Sequence, residues 1–544
     1  MEWAIYANLA WSVPIIGALL TPLTAAISRK VRDMLAVLTA LTSALMVSLL
    51  TPLLWSGELP RVYRYEWVEL PILGPLSFSI LVDPLSIVVA NMVAWISALI
   101  FVYSLSYMHG DPGLTRYWFF MQLFVGNMLL LVLSENLLQL LIGWEGVGVC
   151  SYALIGYWYQ DRREDYLRCW VGEPPEAYPP SHCGLKAFIT TRVGDVFMLA
   201  GMLLLAVTAG TLSFTELPGV EVRHVHPILL SSLLLIYVGA IGKSAQLPLM
   251  EWLPDAMAGP TSVSALIHAA TMVKAGVYLT ARLVLVSLAW SEHMDVTPFF
   301  EYVMWTGVLT AFISALQAMV STELKRTLAY STVSQLGYMM AALGAASANP
   351  QLSMASAVFH MISHAVFKAS LFLSAGAVIH AVESRFYRHF GGLGRYMRIT
   401  MVAMVLASMS LAGVPPFSGF WSKDLVLSSL MGASSAAFIL ALLTASLTAF
   451  YTTRMLGLTF LGEESENVKE KRHELHEADL TMLAPYLILA IASLLLGLAA
   501  PLVEHFFIHV MHVHGVEEHE GGSVLIPLLS IVALIAGAAP ASLM

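Results

Sequence analysis

Long apolar runs constrain this chain more than any other feature. About fifteen of them are long enough to cross a bilayer as helices. They fall near 5–27, 34–55, 83–107, 116–134, 136–158, 185–208, 228–253, 260–287, 300–320, 327–346, 354–380, 400–432, 434–460, 480–502 and 523–541. Only 12% of the 544 residues are charged and 58% are hydrophobic, whereas a soluble protein is about 25% charged and 45–50% apolar. The expected fold is therefore an all-α polytopic membrane protein with about 15 transmembrane helices and no large soluble domain. The amino terminus, MEWAIYANLAWSVPIIGALLTPL, has neither a basic region nor a small-residue cleavage site, and reads as a first span.

Basic residues set the expected orientation, because they accumulate on the cytoplasmic side. Arg29, Lys30 and Arg32 follow the first span and Arg162, Arg163 and Arg168 the fifth. Lys325 and Arg326 follow the ninth, Arg385, Arg388, Arg395 and Arg398 the eleventh, and Lys469, Lys471 and Arg472 the thirteenth. All five loops share one side if the count holds. The other side holds chiefly Arg61, Arg64 and Arg223. The N-terminus is thus expected outside and the C-terminus in the cytoplasm.

Several chemistries are excluded or disfavoured. The net charge of −9 with no basic tail gives no footing for nucleic acid. Cys150, Cys169 and Cys183 are one thiolate short of a four-cysteine cluster, and no Walker A or GxGxxG pattern in strand–helix context is present. No cofactor is expected in this chain. Cys169 and Cys183 lie in a cytoplasmic loop, where thiols stay reduced, so a disulfide is the weaker reading. The loop 504–520 holds five histidines, read as a solvated, titrating segment in preference to a metal site.

The apolar background makes the charged residues within it conspicuous. The stretch GAIGKSAQLPLMEWLPDAMAGPTSVSALIHAATMVKAGVYL (239–279) carries Lys243, Glu251, Asp255, His268 and Lys274 and is broken by Pro248, Pro254, Gly259 and Pro260. A charge at the centre of a membrane helix costs about 2.5–3.5 kcal/mol on insertion scales, and broken helices at membrane depth line protein or wet cavities. Spans 228–253 and 400–432 are each expected to be two half-helices. PLMEWLPD (248–255) and PPFSGFWSKD (415–424) resemble each other, as do HAATMVKAG (268–276) and HAVFKASLF (364–372), which points to an internal repeat.

Glu145 is the lone charge of the fifth span. Arg192 and Asp195, three apart, share a face of the sixth and are expected to pair. His360, His364 and Lys368 recur every four residues along one stripe of the eleventh span, and Lys423–Asp424 follows the Pro415–Pro416 break. Such groups are tolerated in the membrane only if they face one another and water, the geometry of a proton relay. A Glu–Lys pair ~7 Å apart at an effective dielectric of ~20 attracts by about 2.4 kcal/mol, so movement of Glu145 relative to Lys243 is expected to govern that lysine's proton. Packing seams or internal ion pairs are the plainer reading of the same residues.

In WEGVGVCSYALIGYWY, the 239–279 stretch, ELKRTLAYSTVSQLGYM, HAVFKASLFLSAG and PPFSGFWSKD, the chain resembles the distal antiporter-like subunit of respiratory complex I, the NuoL type, over roughly residues 60–460. The resemblance implies two inverted five-helix repeats, each with a broken helix, dividing the chain into 1–115, 116–290, 291–460 and 461–544. It implies proton translocation in a cell inner (plasma) membrane, driven by a redox module on other subunits. Partners are then other membrane subunits, further antiporter-like subunits included, and lipid. Glu145 and Lys243 match the input pair and Lys423 the output lysine. His268, His360, His364 and Lys368 match the connecting relay, with Arg192, Asp195 and Asp424 as charge partners. Lys274 and Lys325 are expected relay members of less fixed role, Lys325 being relay or structural. Relatives usually continue into a long lateral helix, which this chain is expected to lack, and loop 160–184 is longer than usual.

Two further readings follow from the same residues. An Mrp-type Na+/H+ antiporter subunit shares the fold, and the GVGVCSY context of Glu145 disfavours it. Haem ligation by His360 and His364 is the third, and four-residue spacing on one helix suits a stripe better.

Overall fold

A computed structural model describes residues 2–70, 74–222, 226–511 and 525–542. Arg223 and three of the loop histidines, His512, His514 and His519, lie outside the described residues. Twelve described helices are long and apolar enough to cross a membrane. The first six are Glu2–Ile27, Arg29–Trp55, Pro84–Tyr107, Leu114–Leu133, Leu137–Ile155 and Pro180–Ala209. The others are His226–Lys243, Thr261–Trp290, Thr297–Val320, Pro350–Val382, Ser435–Phe460 and Leu480–Leu498. Leu324–Gly344, the pair Arg398–Ala412 and Ser418–Ala433, and Leu525–Ala541 fill the tenth, twelfth and fifteenth places.

Polar residues at the helix starts explain where the spans begin. Asp83 forms a capping box with Ser86 ahead of Pro84. Asn136 and Asn349 accept from the amides of Gln139 and Leu352, satisfying donors that no helix can satisfy for itself. An antiparallel hairpin, β1 (Arg61–Leu70) and β2 (Gly74–Val82), joins the second and third spans. The all-helical expectation had no place for it. Bridges from Ile80 to Ser134 and from Asn136 to Ser213 fix the hairpin face of the molecule.

The opposite face gathers the basic loops. Arg32 donates to Thr115, and Arg116 to the Tyr157 carbonyl. Arg385 N donates to Leu167 O, Glu323 bridges to Phe386, and Gly392 N donates to Leu461 O. All five basic loops therefore share one side, as the span count requires. Ion pairs tie this face together: Arg385 Nε lies 2.5 Å from Glu323, both buried, while buried Asp255 holds the partly exposed Lys186 at 2.5 Å and Arg326 at 3.3 Å.

Two spans are broken as expected. After Lys243 the seventh runs through a non-helical turn to a short piece, Trp252–Asp255 and Ala256–Ala258. Trp252 Nε1 donates to Gly242 O at 3.0 Å, and Leu247 N to Thr310 Oγ1, so the freed backbone is paired within the protein. The twelfth breaks at Gly413, whose φ of +84° suits glycine. The eighth span is broken too, which its sequence did not announce. Leu266–Ala270 is a π-turn ending at Thr271, with φ −121° and ψ −108°, and His268 and Lys274 lie on either side of that residue.

Candidate functional site: a buried lane of charged side chains

Every lysine and histidine of the expected relay is buried: Lys243, His268, Lys274, Lys325, His360, His364, Lys368 and Lys423 are each 0–4% exposed. All but Lys325 fall into three groups along the core.

The first group joins the fifth, sixth and seventh spans. Arg192 pairs with Glu145, and its Nε lies 3.5 Å from Asp195. Asp195 in turn lies 3.5 Å from Lys243 Nζ and accepts from Trp144 Nε1 at 2.5 Å. Trp144 also presents its ring 5.4 Å from Lys243, a cation–π contact. The expected direct Glu145–Lys243 pair is thus an extended one, Glu145–Arg192–Asp195–Lys243. Gly148 explains the spacing, because a Cβ there would stand 2.6 Å from Arg192 Nη2 and 2.8 Å from Lys243 Nζ. Glu145 and Arg192 have side chains 36% and 29% exposed, so the lane begins at the surface of the subunit.

Lys243 ends its half-helix, where carbonyls without helical partners concentrate negative potential and favour a cation. Lys423 uses the same device across the other break, donating to Leu411 O at 3.0 Å. Asp424, beside it in sequence, is turned toward Ser530 of the last span at 3.3 Å. It forms no ion pair among the described residues.

The second group lies between the eighth and eleventh spans. Lys274 Nζ is 2.7 Å from His364 Nδ1. It is reached from the first group through Ser244, next to Lys243, whose hydroxyl donates to the carbonyl of Val273, next to Lys274, at 2.7 Å. The His268 ring lies against Phe372, tilted by 41° with ring centroids 4.7 Å apart, and neither of its ring nitrogens has a hydrogen-bond partner among the described residues. Lys368 donates to Leu328 O at 3.2 Å and to Ser331.

In the third group, the His364 and His360 rings are 6.5 Å apart. His360 Nδ1 contacts Ser422 Oγ at 3.0 Å, one residue from Lys423, and its Nε2 contacts Gln335 Oε1 at 3.1 Å. Both ring nitrogens are engaged by protein groups, which argues against His360 as a haem ligand. Lys325 stands apart, donating to Met257 O at 2.8 Å and Gly259 O at 2.7 Å.

Trp144, Gly148, Gln335, Ser331 and Ser422 were not singled out from sequence. All are neutral, and only Trp144, beside Glu145 in GWEG, offered a local signal. Cys169 and Cys183 are free and buried. Burial pushes the Cys169 thiol up to about 12.

Residues 134–448 match the family described as NADH:quinone oxidoreductase/Mrp antiporter, TM. Residues 67–118 match NADH-Ubiquinone oxidoreductase (complex I), chain 5 N-terminus. NAD(P)H-quinone oxidoreductase chain 5 of Picosynechococcus sp. is 37% identical over 532 residues, covering 91% of this chain and 76% of the relative. F(420)H(2) dehydrogenase subunit L of Methanosarcina mazei is 41% identical over 452 residues, 76% of this chain and 63% of that one. Among solved structures, the Mrp complex from Dietzia sp. aligns with a TM-score of 0.81 at 28% identity. It covers 98% of this chain, which spans 56% of the Dietzia chain. This chain belongs to the NADH:quinone oxidoreductase/Mrp antiporter family of membrane subunits, and within it to the antiporter-like subunit L (chain 5) type.

Proposed function

We propose that this chain is the proton-translocating membrane subunit of a complex I-like oxidoreductase, coupled to redox chemistry on other subunits. One observation carries the reading: the lane of buried titratable side chains from Glu145 to Lys423. Glu145, Arg192, Asp195 and Lys243 form one chain of ion pairs, Lys274 meets His364, His360 meets Ser422 beside Lys423, and the Ser244–Val273 contact links the first group to the second. Lysine suits such a lane because it can release its proton, and histidine can pass one on. Glu145 with Arg192 is the input end, His268, Lys274, His360, His364 and Lys368 the connection, and Lys423 the output. Asp195 and Arg192 set the charge on Lys243, and Asp424 carries the output side toward the last span. The two repeats are 116–290 and 291–460, flanked by 1–115 and 461–544. The fourth span starts on the basic face and the ninth on the hairpin face, which supports their inversion.

The basic face is cytoplasmic by the positive-inside rule, which places the N-terminus outside and the C-terminus inside a plasma (inner) membrane. The partners are other membrane subunits, further antiporter-like subunits among them. A mild-detergent purification of the native assembly, with partners identified by mass spectrometry, tests this reading. Iron–sulfur and quinone-reducing subunits are expected. A set of small membrane subunits with no redox protein, together with sodium-dependent proton flux in the absence of an electron donor, would replace it with the cation/proton antiporter reading. The likeness to the Mrp complex keeps that second reading in view.

A further inference from the structure

Two of the five histidines between 504 and 520 stand on a helix and not in a loop. The helix Ala500–Val510 follows the fourteenth span and carries His505 and His509. Residues four apart lie on one face of a helix. The two imidazoles are nearly parallel, with planes 15° apart and ring centroids 6.2 Å apart, and both residues are exposed.

The opposite side of this helix is held from behind, at the hairpin-face end of the spans. Phe507 is buried and stacks on Phe359 of the eleventh span with centroids 5.4 Å apart. Phe506 meets Trp55 at 6.0 Å, and the Gln351 side-chain amide donates to Ile508 O. The backbone that presents the two imidazoles is therefore set before a ligand arrives, which lowers the cost of binding one. Helical zinc sites use the same four-residue spacing for a pair of histidine ligands. Imidazole nitrogens bind zinc at about 2.0–2.1 Å, so two of them on one ion stand on the order of 3–3.5 Å apart. Rings with centres 6.2 Å apart reach that spacing by side-chain rotation, with the backbone unmoved. Among the described residues no third His, Cys, Asp or Glu joins the pair in a larger cluster. Water then completes the shell, as in an open, exchangeable site and not a closed structural one.

We propose that His505 and His509 form a binding site on the hairpin face for a divalent transition-metal ion that prefers imidazole, Cu2+ or Zn2+. Each ring gives one nitrogen lone pair to the ion, and the ion bridges one helical turn. Mg2+ and Ca2+ take oxygen ligands and are not held.

The test uses the purified whole assembly, prepared without a polyhistidine tag. Tightly bound Cu2+ is counted by equilibrium dialysis in the wild type, His505→Gln and His509→Gln. The wild type is expected to hold one more tight Cu2+ per copy of this chain than either variant, in which the site weakens at least tenfold. Zn2+ should displace that ion and Mg2+ should not. His473→Gln, an exposed histidine on the basic face, should leave the count unchanged. A second measurement needs no variant: Zn2+ should slow the reaction of His505 and His509 with diethyl pyrocarbonate, mapped by mass spectrometry, at least tenfold while sparing His473. An equal Cu2+ count in the wild type and either variant, or His505 and His509 modified at the same rate with and without Zn2+, overturns the proposal.

Discussion

The Glu323–Arg385 pair allows a stability prediction whose size follows from its surroundings. The two side chains are 1% and 0% exposed and 2.5 Å apart. Their gross attraction at an effective dielectric of ~20 is about 6.6 kcal/mol, most of it offset by desolvating two ions. Removing one partner leaves the other charge buried, at about 3–5 kcal/mol. Arg385→Met and Glu323→Leu are each expected to destabilise by that amount. Glu323 Oε1 also accepts from Gly172 N at 2.7 Å, and Arg385 Nη1 donates to Trp170 O at 2.9 Å. The double variant therefore still leaves a buried amide and a buried carbonyl without partners, at roughly 1–3 kcal/mol each. Thermal midpoints of the purified subunit in one detergent give the ordering. The double variant should lose less than the two single losses added together. If its loss equals the sum of the single losses, the charges are uncoupled and the argument fails.

Three further outcomes follow from single sites. Burial disfavours the Cys169 thiolate, and with its pKa at about 12 alkylation at pH 8 should run about three orders of magnitude slower than that of a free thiol near 8.5. The rate, followed by mass spectrometry, should climb tenfold per pH unit up to that value, and a rate flat above pH 9 would contradict it. A Cβ on Gly307 would stand 2.4 Å from Ala341 N and 2.5 Å from Gly337 O. Gly307→Val should thus force the ninth and tenth spans apart and lower the thermal midpoint by the equivalent of about 1–3 kcal/mol; Gly432→Ala, with nothing within 4 Å, should not lower it. His364→Ala removes the partner of Lys274 and should lower the ratio of protons translocated to electrons transferred by this subunit's share in an assembly that still forms; an unchanged ratio would contradict it.

Much of the fold was legible because bilayer length and the alternation of basic loops are simple constraints. The order of the helices and the grouping of five basic loops on one face follow from apolar runs and a handful of Lys and Arg residues. The breaks at Pro248 and Pro415–Pro416 were visible for the same reason, since proline cannot continue a helix. The break at Thr271 was not, because LIHAATMV contains no breaker and a π-turn needs none. The hairpin lay outside an all-helical reading of an apolar chain. Within the lane, the charged members stood out against lipid-compatible sequence, but their pairing did not. Arg192 and Glu145 are 47 residues apart, and only packing across Gly148 shows that Arg192 stands between Glu145 and Asp195. Asp424 beside Lys423 suggested a pair, whereas successive helical residues point about 100° apart, and its carboxylate meets Ser530 instead.

The central claim is that protons cross through the buried lane. Its most direct test is the ratio of protons translocated to electrons transferred by the reconstituted assembly carrying Lys243→Ala. The account predicts an assembled complex that still passes electrons and whose ratio falls by this subunit's share. An unchanged ratio, with the variant chain present at full occupancy, would contradict it.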